Sequence, residues 1–232
     1  MHTNDTAREP QEPHLSGDFW DQRYAGNETL WSGQPNAALV SETRDLRPGR
    51  ALDVGCGEGA DALWLAAQGW HVTALDVSRV ALERAARQAE LVGAGPDGGL
   101  SGAVRWLHAG LLEAALPAAN FDLVSAQYPA LLRTAENLAE HALLDAVAPG
   151  GVLLIVHHPT PTTEEAAAHG FDPDLYVSPA QVAALLVDDW QIEVDETRPR
   201  HVATGAGAHH TEDVVVRARR RRVSPATPSP QR

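Results

Sequence analysis

One short segment of the sequence combines glycines and a carboxylate at a spacing suited to binding a nucleoside. Residues 52–59 read LDVGCGEG, with an apolar run before them and a helix-like stretch after them. Glycines at a strand-to-helix turn permit a tight turn and let a ligand approach the backbone closely. The following helix presents its N-terminal amides and the positive end of its dipole to a negative group. The segment therefore predicts a nucleoside-binding turn.

The details of this segment indicate which nucleoside it binds. Gly55, Gly57 and Gly59 follow the spacing G-x-G-x-G rather than the dinucleotide pattern, and no P-loop lysine follows them. Asp53 would repel a pyrophosphate but suits a ligand that carries an ammonium. S-adenosylmethionine has an ammonium, a carboxylate and a sulfonium and no phosphate. Asp76, at the end of the next apolar strand, can accept hydrogen bonds from ribose hydroxyls, so the pattern predicts S-adenosylmethionine as cofactor.

The elements that must position these residues alternate along the chain. Apolar runs predict strands at 50–55, 70–76, 104–107, 121–126, 152–157, 191–196 and 212–218. Helical patterns fall at 60–67, 78–92, 136–147 and 178–186, and Pro149-Gly150-Gly151 is expected to end the third of these helices. Strands that alternate with helices predict an α/β fold. We expect a Rossmann-like, mostly parallel, seven-stranded sheet with helices on both faces and an antiparallel last strand.

Composition limits the domain organisation and the partners. The 232 residues fit one domain at 15–222, with polar, proline-bearing tails at 1–14 and 223–232 expected to be disordered. The net charge of -13 disfavours nucleic acid, and no apolar run has the length of a membrane span. The start of the chain lacks a signal-peptide pattern, and the single Cys56 permits no intrachain disulfide. We therefore expect a cytoplasmic protein; its oligomeric state stays open.

The motifs together resemble a known enzyme family, from about Phe19 to Arg220. The glycine segment, Asp76, the strand at 121–124 (FDLV) and the turn at 149–151 (PGG) are similar to those of class I S-adenosylmethionine-dependent methyltransferases. Residues 19–24 (FWDQRY), 31–33 (WSG) and 35–36 (PN) resemble the tellurite-resistance and thiopurine methyltransferase branch, which acts on small thiols or chalcogen anions. In that branch the N-terminal helix and its aromatic residues fold over the cofactor and the acceptor.

The resemblance and the strand-end positions together give the candidate cofactor-binding residues. They are Asp53, Gly55, Cys56, Gly57, Gly59, Asp61, Asp76, Val77, Gly110, Leu111, Gln127 and Trp31. One position departs from the family, because Gly110 stands where an acidic residue near the adenine amino group is expected. The backbone around Gly110 and Leu111 is then expected to contact the adenine.

The acceptor side offers fewer signals. Methyl transfer is an in-line displacement, which requires a near-attack geometry and needs a general base only for acceptors that arrive protonated. Gln127 and Tyr128 follow the fourth strand, and His157 and His158 follow the fifth, at the strand ends where open parallel sheets bind ligands. The candidate catalytic residues are His157 and Tyr128. The alternative, that no base is needed, stays open.

Other chemistry-bearing residues have two interpretations. Trp20, Tyr24 and Trp31 form either an aromatic wall around the sulfonium or ordinary packing contacts. The histidines of the last loop, at 201, 209 and 210, are spaced unlike a zinc site, so no metal is predicted.

The function that the sequence predicts is methyl transfer from S-adenosylmethionine to a small-molecule acceptor. A thiol, a chalcogen oxyanion or a similar nucleophile fits the branch resemblance. The alternatives are a non-catalytic S-adenosylmethionine-binding protein, which the departure at Gly110 would suit, and an NAD-dependent oxidoreductase, which the glycine spacing and Asp53 disfavour.

Overall fold

A computed structural model of the chain describes residues 16–93, 101–161, 164, 166, 172–202 and 204–222. The tails predicted at 1–14 and 223–232 lie outside these residues, and so do residues 94–100, between the second predicted helix and the third predicted strand. None of the helices within the described ranges is long and apolar enough to cross a membrane.

The described elements alternate as the sequence predicts. The strands are β1 Arg50–Val54, β2 His71–Asp76, β3 Ala103–His108, β4 Phe121–Gln127, β5 Val147–His157, β6 Trp190–Pro199 and β7 Glu212–Arg220. The helices are α1 Gly17–Ala25, α2 Ala37–Thr43, α3 Ala60–Ala67, α4 Arg79–Gly93, α5 Leu138–Ala146 and α6 Pro179–Ala184, with a 3-10 turn at Pro173–Leu175.

The seven strands form one sheet in the order β3-β2-β1-β4-β5-β7-β6. Strands β1 to β5 pair in parallel, whereas β7 runs antiparallel to both β5 and β6. The predicted Rossmann-like, mostly parallel sheet with an antiparallel final pair is confirmed. From β1 the chain adds β2 and β3 on one side of the sheet and then crosses over to add β4 and β5 on the other side. Open α/β sheets bind ligands in the crevice at such a switch point.

Strand β5 shows why the sheet is covered on both faces. Its residues alternate between two apolar clusters, with Leu153 and Ile155 in one and Val152, Leu154 and Val156 in the other. All five side chains are buried. Helices α5 and α6 supply residues to the first cluster, and α2 and α3 supply residues to the second. A continuous apolar run therefore marks a strand that is buried on both sides.

Serine side chains cap the starts of two predicted helices. The Ser78 hydroxyl accepts a hydrogen bond from the amide of Ala81 at 3.1 Å at the start of α4. Ser178 and Gln181 form a reciprocal capping box at the start of α6, with Pro179 in the first turn. Both helices therefore begin where the sequence placed them.

The prediction was wrong about the start of β5 and the ends of the preceding helix. Helix α5 begins at Leu138 and ends at Ala146, and the strand begins at once with Val147 rather than at Val152. Pro149, Gly150 and Gly151 lie within β5 instead of separating it from the helix. The pairing of β4 shifts register here, and Gly150 has φ of +87°. A glycine at this irregularity lets the strand continue through a segment that reads as a turn.

Candidate active site

The turn after β1 is held against β2 by two backbone hydrogen bonds. The amides of Gly55 and Cys56 donate to the carbonyl of Leu75 at 2.9 and 3.0 Å. Gly59 adopts φ of +85°, and a Cβ there would come within 2.8 Å of the Ala85 Cβ and still closer to the Trp106 ring. Glycine is therefore required at position 59 for both backbone and packing. The turn delivers the chain directly into the first residues of α3.

Three carboxylates surround this glycine loop, which comprises residues 55–59. Asp53, Asp61 and Asp76 are buried. Asp76 accepts hydrogen bonds from the amides of Gly57 and Ser78, each at 2.8 Å. Asp61 accepts from the backbone amide and the side-chain amide of Asn36, each at 2.7 Å.

Asp53 differs from the other two carboxylates because its Oδ2 is buried without a hydrogen-bond partner. Burial raises its pKa well above the usual range, and the neighbouring charges of Asp61 and Asp76 raise it further. Burial also raises the pKa of Asp61 and Asp76, while their hydrogen bonds counteract the shift. A cluster of desolvated carboxylates, with one acceptor left without a partner, is complementary to a cation.

Aromatic side chains from the N-terminus lie over the glycine loop. The Trp31 indole donates to the Tyr24 hydroxyl at 2.9 Å, and the rings of Trp20 and Tyr24 lie 6.1 Å apart. A Cβ on Gly57 would approach the Tyr24 hydroxyl to 2.9 Å and the Trp31 Nε1 to 3.4 Å. The structure thus brings the predicted aromatic residues to the loop, with Tyr24 buried and Trp31 partly exposed.

Two acidic residues fasten this N-terminal segment, residues 16–36, which we call the roof. Asp21 accepts from the Ser78 hydroxyl at 2.6 Å and from the amide of Val80 at 3.0 Å. Glu58, within the glycine loop, pairs with Arg84 at 2.9 Å and accepts from the amides of residues 30 and 31. Sequence reasoning missed Asp21, Glu58 and Arg84. Of these three residues, only Glu58 could have been noticed in the sequence, because it lies inside the glycine motif.

The residues that the sequence predicted to contact the adenine lie at the ends of β2 and β3. Asp76 pairs with His108 across the two strands, and the His108 Nε2 lies 3.0 Å from the carbonyl oxygen of Val77. Leu111 is buried, and a Cβ on Gly110 would lie 3.6 Å from the Val77 Cγ1. The structure therefore places Val77, Gly110 and Leu111 together, next to the carboxylate of Asp76.

Tyr128 lies at the end of β4 within a network that sequence reasoning did not find. Its hydroxyl donates to Asp213 at 2.7 Å and accepts from the Arg200 Nε at 3.0 Å. Burial and the charge of Asp213 raise the Tyr128 pKa, so the phenol stays protonated at neutral pH. Gln127 is buried beside it, and its amide donates to the Ser125 hydroxyl at 3.0 Å. A phenol that donates to a carboxylate is poorly suited to act as a base.

His157 and His158 lie next to Tyr128, and both imidazoles are neutral at physiological pH. The Nδ1 of His157 lies 3.2 Å from the carbonyl oxygen of His158, so this nitrogen carries the proton and Nε2 keeps its lone pair. Burial lowers the pKa of His157. Burial, together with nearby cationic groups, lowers the pKa of His158 to about 3. His157 thus remains the better-suited candidate base.

The loop between β6 and β7 contacts the same two residues, Tyr128 and His158. His158 stacks on Tyr128 at 4.4 Å and on His210 at 3.6 Å between ring centroids. Arg200 also donates to the carbonyl oxygens of Gly207 and His210. Across the ranges that the structure describes, no group of three or more histidine, cysteine or acidic residues could hold a metal ion. These histidines therefore pack against each other and against Tyr128.

Comparison with protein families covers the middle of this site. Residues 51–151 match a family described as a methyltransferase domain. The match includes the three carboxylates, the glycine loop and Tyr128. It does not include the roof or His157. The methyltransferase match therefore falls on the strands and turns that the sequence predicted to bind the nucleoside.

Two curated relatives are also similar to this chain. The chain is 38% identical over 134 residues to an uncharacterized methyltransferase of Mycobacterium tuberculosis, an alignment that covers 57% of this chain and 62% of that protein. It is 36% identical over 72 residues to a probable thiol methyltransferase of Arabidopsis thaliana, which covers 30% of this chain and 32% of that protein. The chain thus spans less than two thirds of the length of these relatives.

Solved structures share the fold. A structure from work on conversion of a disulfide bond into a thioacetal group during echinomycin biosynthesis has a TM-score of 0.67 at 24% identity, covering 90% of this chain and 94% of that one. A magnesium protoporphyrin IX methyltransferase from Synechocystis with bound SAM has a TM-score of 0.53 at 19% identity, covering 79% and 75%. Identities this low establish the fold alone.

Proposed function

We propose that the protein transfers the methyl group of S-adenosylmethionine to a small nucleophile such as a thiol. The observation that carries this proposal is the cluster of three buried carboxylates under an aromatic roof, with the Asp53 Oδ2 left without a partner. The cofactor is S-adenosylmethionine, which the methyltransferase domain match and neighbours of this fold with bound SAM or SAH support. It supplies a methyl group on a sulfonium and carries an ammonium.

The carboxylates, the glycine loop and the aromatic residues above them fit that cofactor. Asp53 and its carboxylate neighbours would compensate the ammonium, and Asp76 at the end of β2 would accept from the ribose. Trp31 and Tyr24 would face the sulfonium with aromatic surface, which attracts a cation. Gly55, Gly57 and Gly59 would let the ligand approach the backbone.

The acceptor side favours a nucleophile that ionises without strong assistance. The Tyr128 hydroxyl donates to Asp213, and burial lowers the pKa of His157 and His158. Strong general bases for an alcohol or an ordinary amine are thus lacking among these candidates. Thiols form thiolates near neutral pH and meet this requirement. The resemblance of residues 19–36 to the thiopurine and tellurite branch, and the partial likeness to a probable plant thiol methyltransferase, support the same acceptor class.

The test is isothermal titration of the purified protein with S-adenosylmethionine and with its demethylated product, S-adenosylhomocysteine. We expect both to bind, and Asp76→Ala to weaken the affinity at least about a hundredfold, because a buried acceptor for two hydroxyls is lost. Asp145→Ala, at an exposed site on α5, is the control and should bind like the wild type. Binding of NADH in place of both ligands would overturn the cofactor assignment.

A mass-spectrometric screen for methyl incorporation then identifies the acceptor class. The panel comprises aromatic thiols, aliphatic thiols, selenite and matched alcohols. We expect transfer to thiols and not to alcohols. Tight cofactor binding without transfer to any panel member would instead support the non-catalytic alternative, which the family match does not favour.

A further inference from the structure

A cavity of about 380 Å³ lies where the loop between β6 and β7 begins and ends. Its lining combines one arginine and two histidines with a threonine and two apolar residues: Arg200, His201, His210, Thr211, Val202 and Ala208. Tyr128 and His157, the candidate catalytic residues, do not line it. An occupant of this cavity can therefore contact Arg200 without contacting either of those residues.

Arg200 is a buried cation with one nitrogen that has no acceptor. Its side chain is only 9% exposed. The Nε donates to the Tyr128 hydroxyl at 3.0 Å, and Nη1 donates to the carbonyl oxygens of Gly207 and His210 at 2.7 and 3.4 Å. Within the part of the chain that the structure describes, Nη2 donates to no acceptor. A guanidinium nitrogen in this state is suited to bind an oxyanion.

His210 can supply a second positive charge to the cavity. Its ring stacks on His158 at 3.6 Å between centroids. Burial lowers the pKa of His210, and the charges of His209, Arg200 and His157 lower it further, so the imidazole is neutral at pH 7 without a ligand. A bound anion would oppose this repulsion and favour the protonated ring.

The surroundings of these two cations contain one carboxylate contact. Asp213 of β7 lies 3.4 Å from the Arg200 Nε, and this contact leaves Nη2 unengaged. The titratable groups that act on His210 from β5, from the end of β6 and from its own loop are His157, His158, Arg200 and His209. None of the described side chains that line the cavity is acidic. Protonation of His210 would therefore leave an excess positive charge beside the cavity.

We infer that this cavity binds a small oxyanion, such as sulfate or phosphate, between Arg200, His210 and Thr211. The net charge of -13 repels anions over most of the surface, so such binding would be confined to this place. The site goes beyond the proposed function and does not depend on it. Arg200 links the site to Tyr128, and the Ala206 amide links the same loop to the carbonyl of Leu30 in the roof. A bound anion would thus steady a loop that contacts both.

Isothermal titration with sulfate tests the site, because sulfate stays a dianion between pH 6 and pH 8. Potassium chloride holds the ionic strength constant. We expect one saturable site with a Kd of about 10 mM or tighter at pH 6. The affinity should be about threefold to tenfold lower at pH 8, because His210 takes up a proton when the anion binds. The absence of saturable binding at pH 6 would overturn the inference.

A substitution of His210 tests where the anion binds. His210→Phe keeps an aromatic ring beside His158 but cannot take up a proton. It should weaken sulfate binding about tenfold at pH 6 and remove the pH dependence. His209→Phe is the matched control, because the His209 ring lies 4.0 Å from the His210 ring and does not line the cavity. Unchanged sulfate affinity in His210→Phe would contradict the inference.

A substitution of Arg200 tests the buried cation. Arg200→Gln should weaken sulfate binding about tenfold to a hundredfold, the usual range for a hydrogen bond to a charged group. Tyr128→Phe removes the bond between Tyr128 and Arg200 but leaves the cavity lining intact, so it should bind sulfate like the wild type. Sulfate binding that persists in a folded Arg200→Gln variant would overturn the inference. If thermal unfolding shows that this variant is not folded, His210→Phe and its pH profile decide.

The inference and the proposed function fail separately, because sulfate is titrated without cofactor. If the protein binds sulfate but neither S-adenosylmethionine nor S-adenosylhomocysteine, the proposed function fails and the anion site stands. If it binds S-adenosylhomocysteine but no sulfate, the anion site is wrong and the cofactor assignment stands.

Discussion

The proposed site has two halves: a cofactor half at the ends of β1, β2 and β3, and an acceptor half at the ends of β4, β5 and β7. In the cofactor half, the floor comes from short segments: Gly57 bonds Asp76 across 19 residues, and Asp76 bonds Ser78 across two. In the acceptor half, Tyr128 reaches Asp213 across 85 residues and Arg200 across 72. The floor of the cofactor half is thus formed by contacts between residues close in the sequence, whereas the acceptor half is formed by contacts between residues far apart in it.

The two halves also treat buried charge differently. Asp53 retains an oxygen without a partner, and two like charges stand near it. Asp213 is also buried, but it accepts from Tyr128 and lies 3.4 Å from the Arg200 Nε. An unsatisfied group is a place for a ligand, whereas a satisfied group holds the framework together. By this rule, Asp53 is a place for a ligand, whereas Asp213 holds the framework of the acceptor half.

Among the variants that compare the two halves, the largest effect is expected from adding a side chain to the glycine loop of the cofactor half. Gly57→Ala forces φ of +53° on alanine, and the new Cβ approaches the Tyr24 hydroxyl to 2.9 Å. We expect the affinity for S-adenosylhomocysteine to fall by about ten- to a hundredfold, since left-handed strain of about 1–2 kcal/mol adds to displacement of the roof. Gly33→Ala is the control, because φ is +70° there and nothing lies within 4 Å. Equal losses in both variants would contradict the role of the roof.

A pair of hydroxyl deletions should separate the halves. Tyr24→Phe removes the acceptor of the Trp31 indole and should weaken S-adenosylhomocysteine about two- to tenfold, the effect of one hydrogen bond. Tyr128→Phe removes the bonds to Asp213 and Arg200 and should leave that affinity within about twofold while lowering kcat/KM for the acceptor. Titration and steady-state kinetics measure the two effects. If both variants change the same parameter, the division into halves is wrong.

The smallest expected effects are two changes in Tm of opposite sign. They come from the same aspartate-to-asparagine substitution made at two different positions. The pKa of Asp53 in the folded protein lies above the ordinary 3.8, so its contribution to stability is greatest below that value and is lost as the pH rises through the raised pKa. Asp53→Asn should therefore stabilise the ligand-free protein at neutral pH. A gain of about 1 kcal/mol raises Tm by about 2–4 °C. Burial raises the pKa of Asp213 as well. Asp213→Asn should nevertheless lower Tm, because it leaves the buried Arg200 guanidinium without its counter-charge.

Thermal melts between pH 4 and pH 8 check this contrast. The gap between wild type and Asp53→Asn should narrow toward acidic pH, where Asp53 itself becomes protonated. A destabilised Asp53→Asn at neutral pH would mean that the carboxylate is held by contacts beyond those in the structure.

The sequence predicted the sheet because its signals were local. The apolar run at 152–156 is buried on both faces, and Ser78 and Ser178 cap helices where hydroxyls precede helical patterns. The start of β5 was mispredicted for the same reason. Pro149, Gly150 and Gly151 carry a strong local turn signal, and the pairing of Val147 with Phe121 on another strand overrides it.

The candidate site was predictable only in its cofactor half. The glycine loop, Asp53 and Asp76 share one strand-turn-helix pattern and its neighbour. Asp21, Arg84, Arg200 and Asp213 gave no sign of their roles, because each acts on a residue at least 26 positions away. A spacing rule can describe a turn, but it cannot describe contacts that exist only once the sheet is assembled.

The roof contacts the loop between β6 and β7 through only a few residues. The amide of Ala206 donates to the carbonyl of Leu30 at 3.0 Å, and Gly205 lies so close to Trp31 and Ser32 that a Cβ there would collide with their backbone. The loop that borders the acceptor half thus rests on the segment that covers the cofactor half. A ligand that orders one must bias the other, and such coupling is reciprocal. We expect an ordered kinetic sequence, with the adenosyl ligand entering first and its product leaving last.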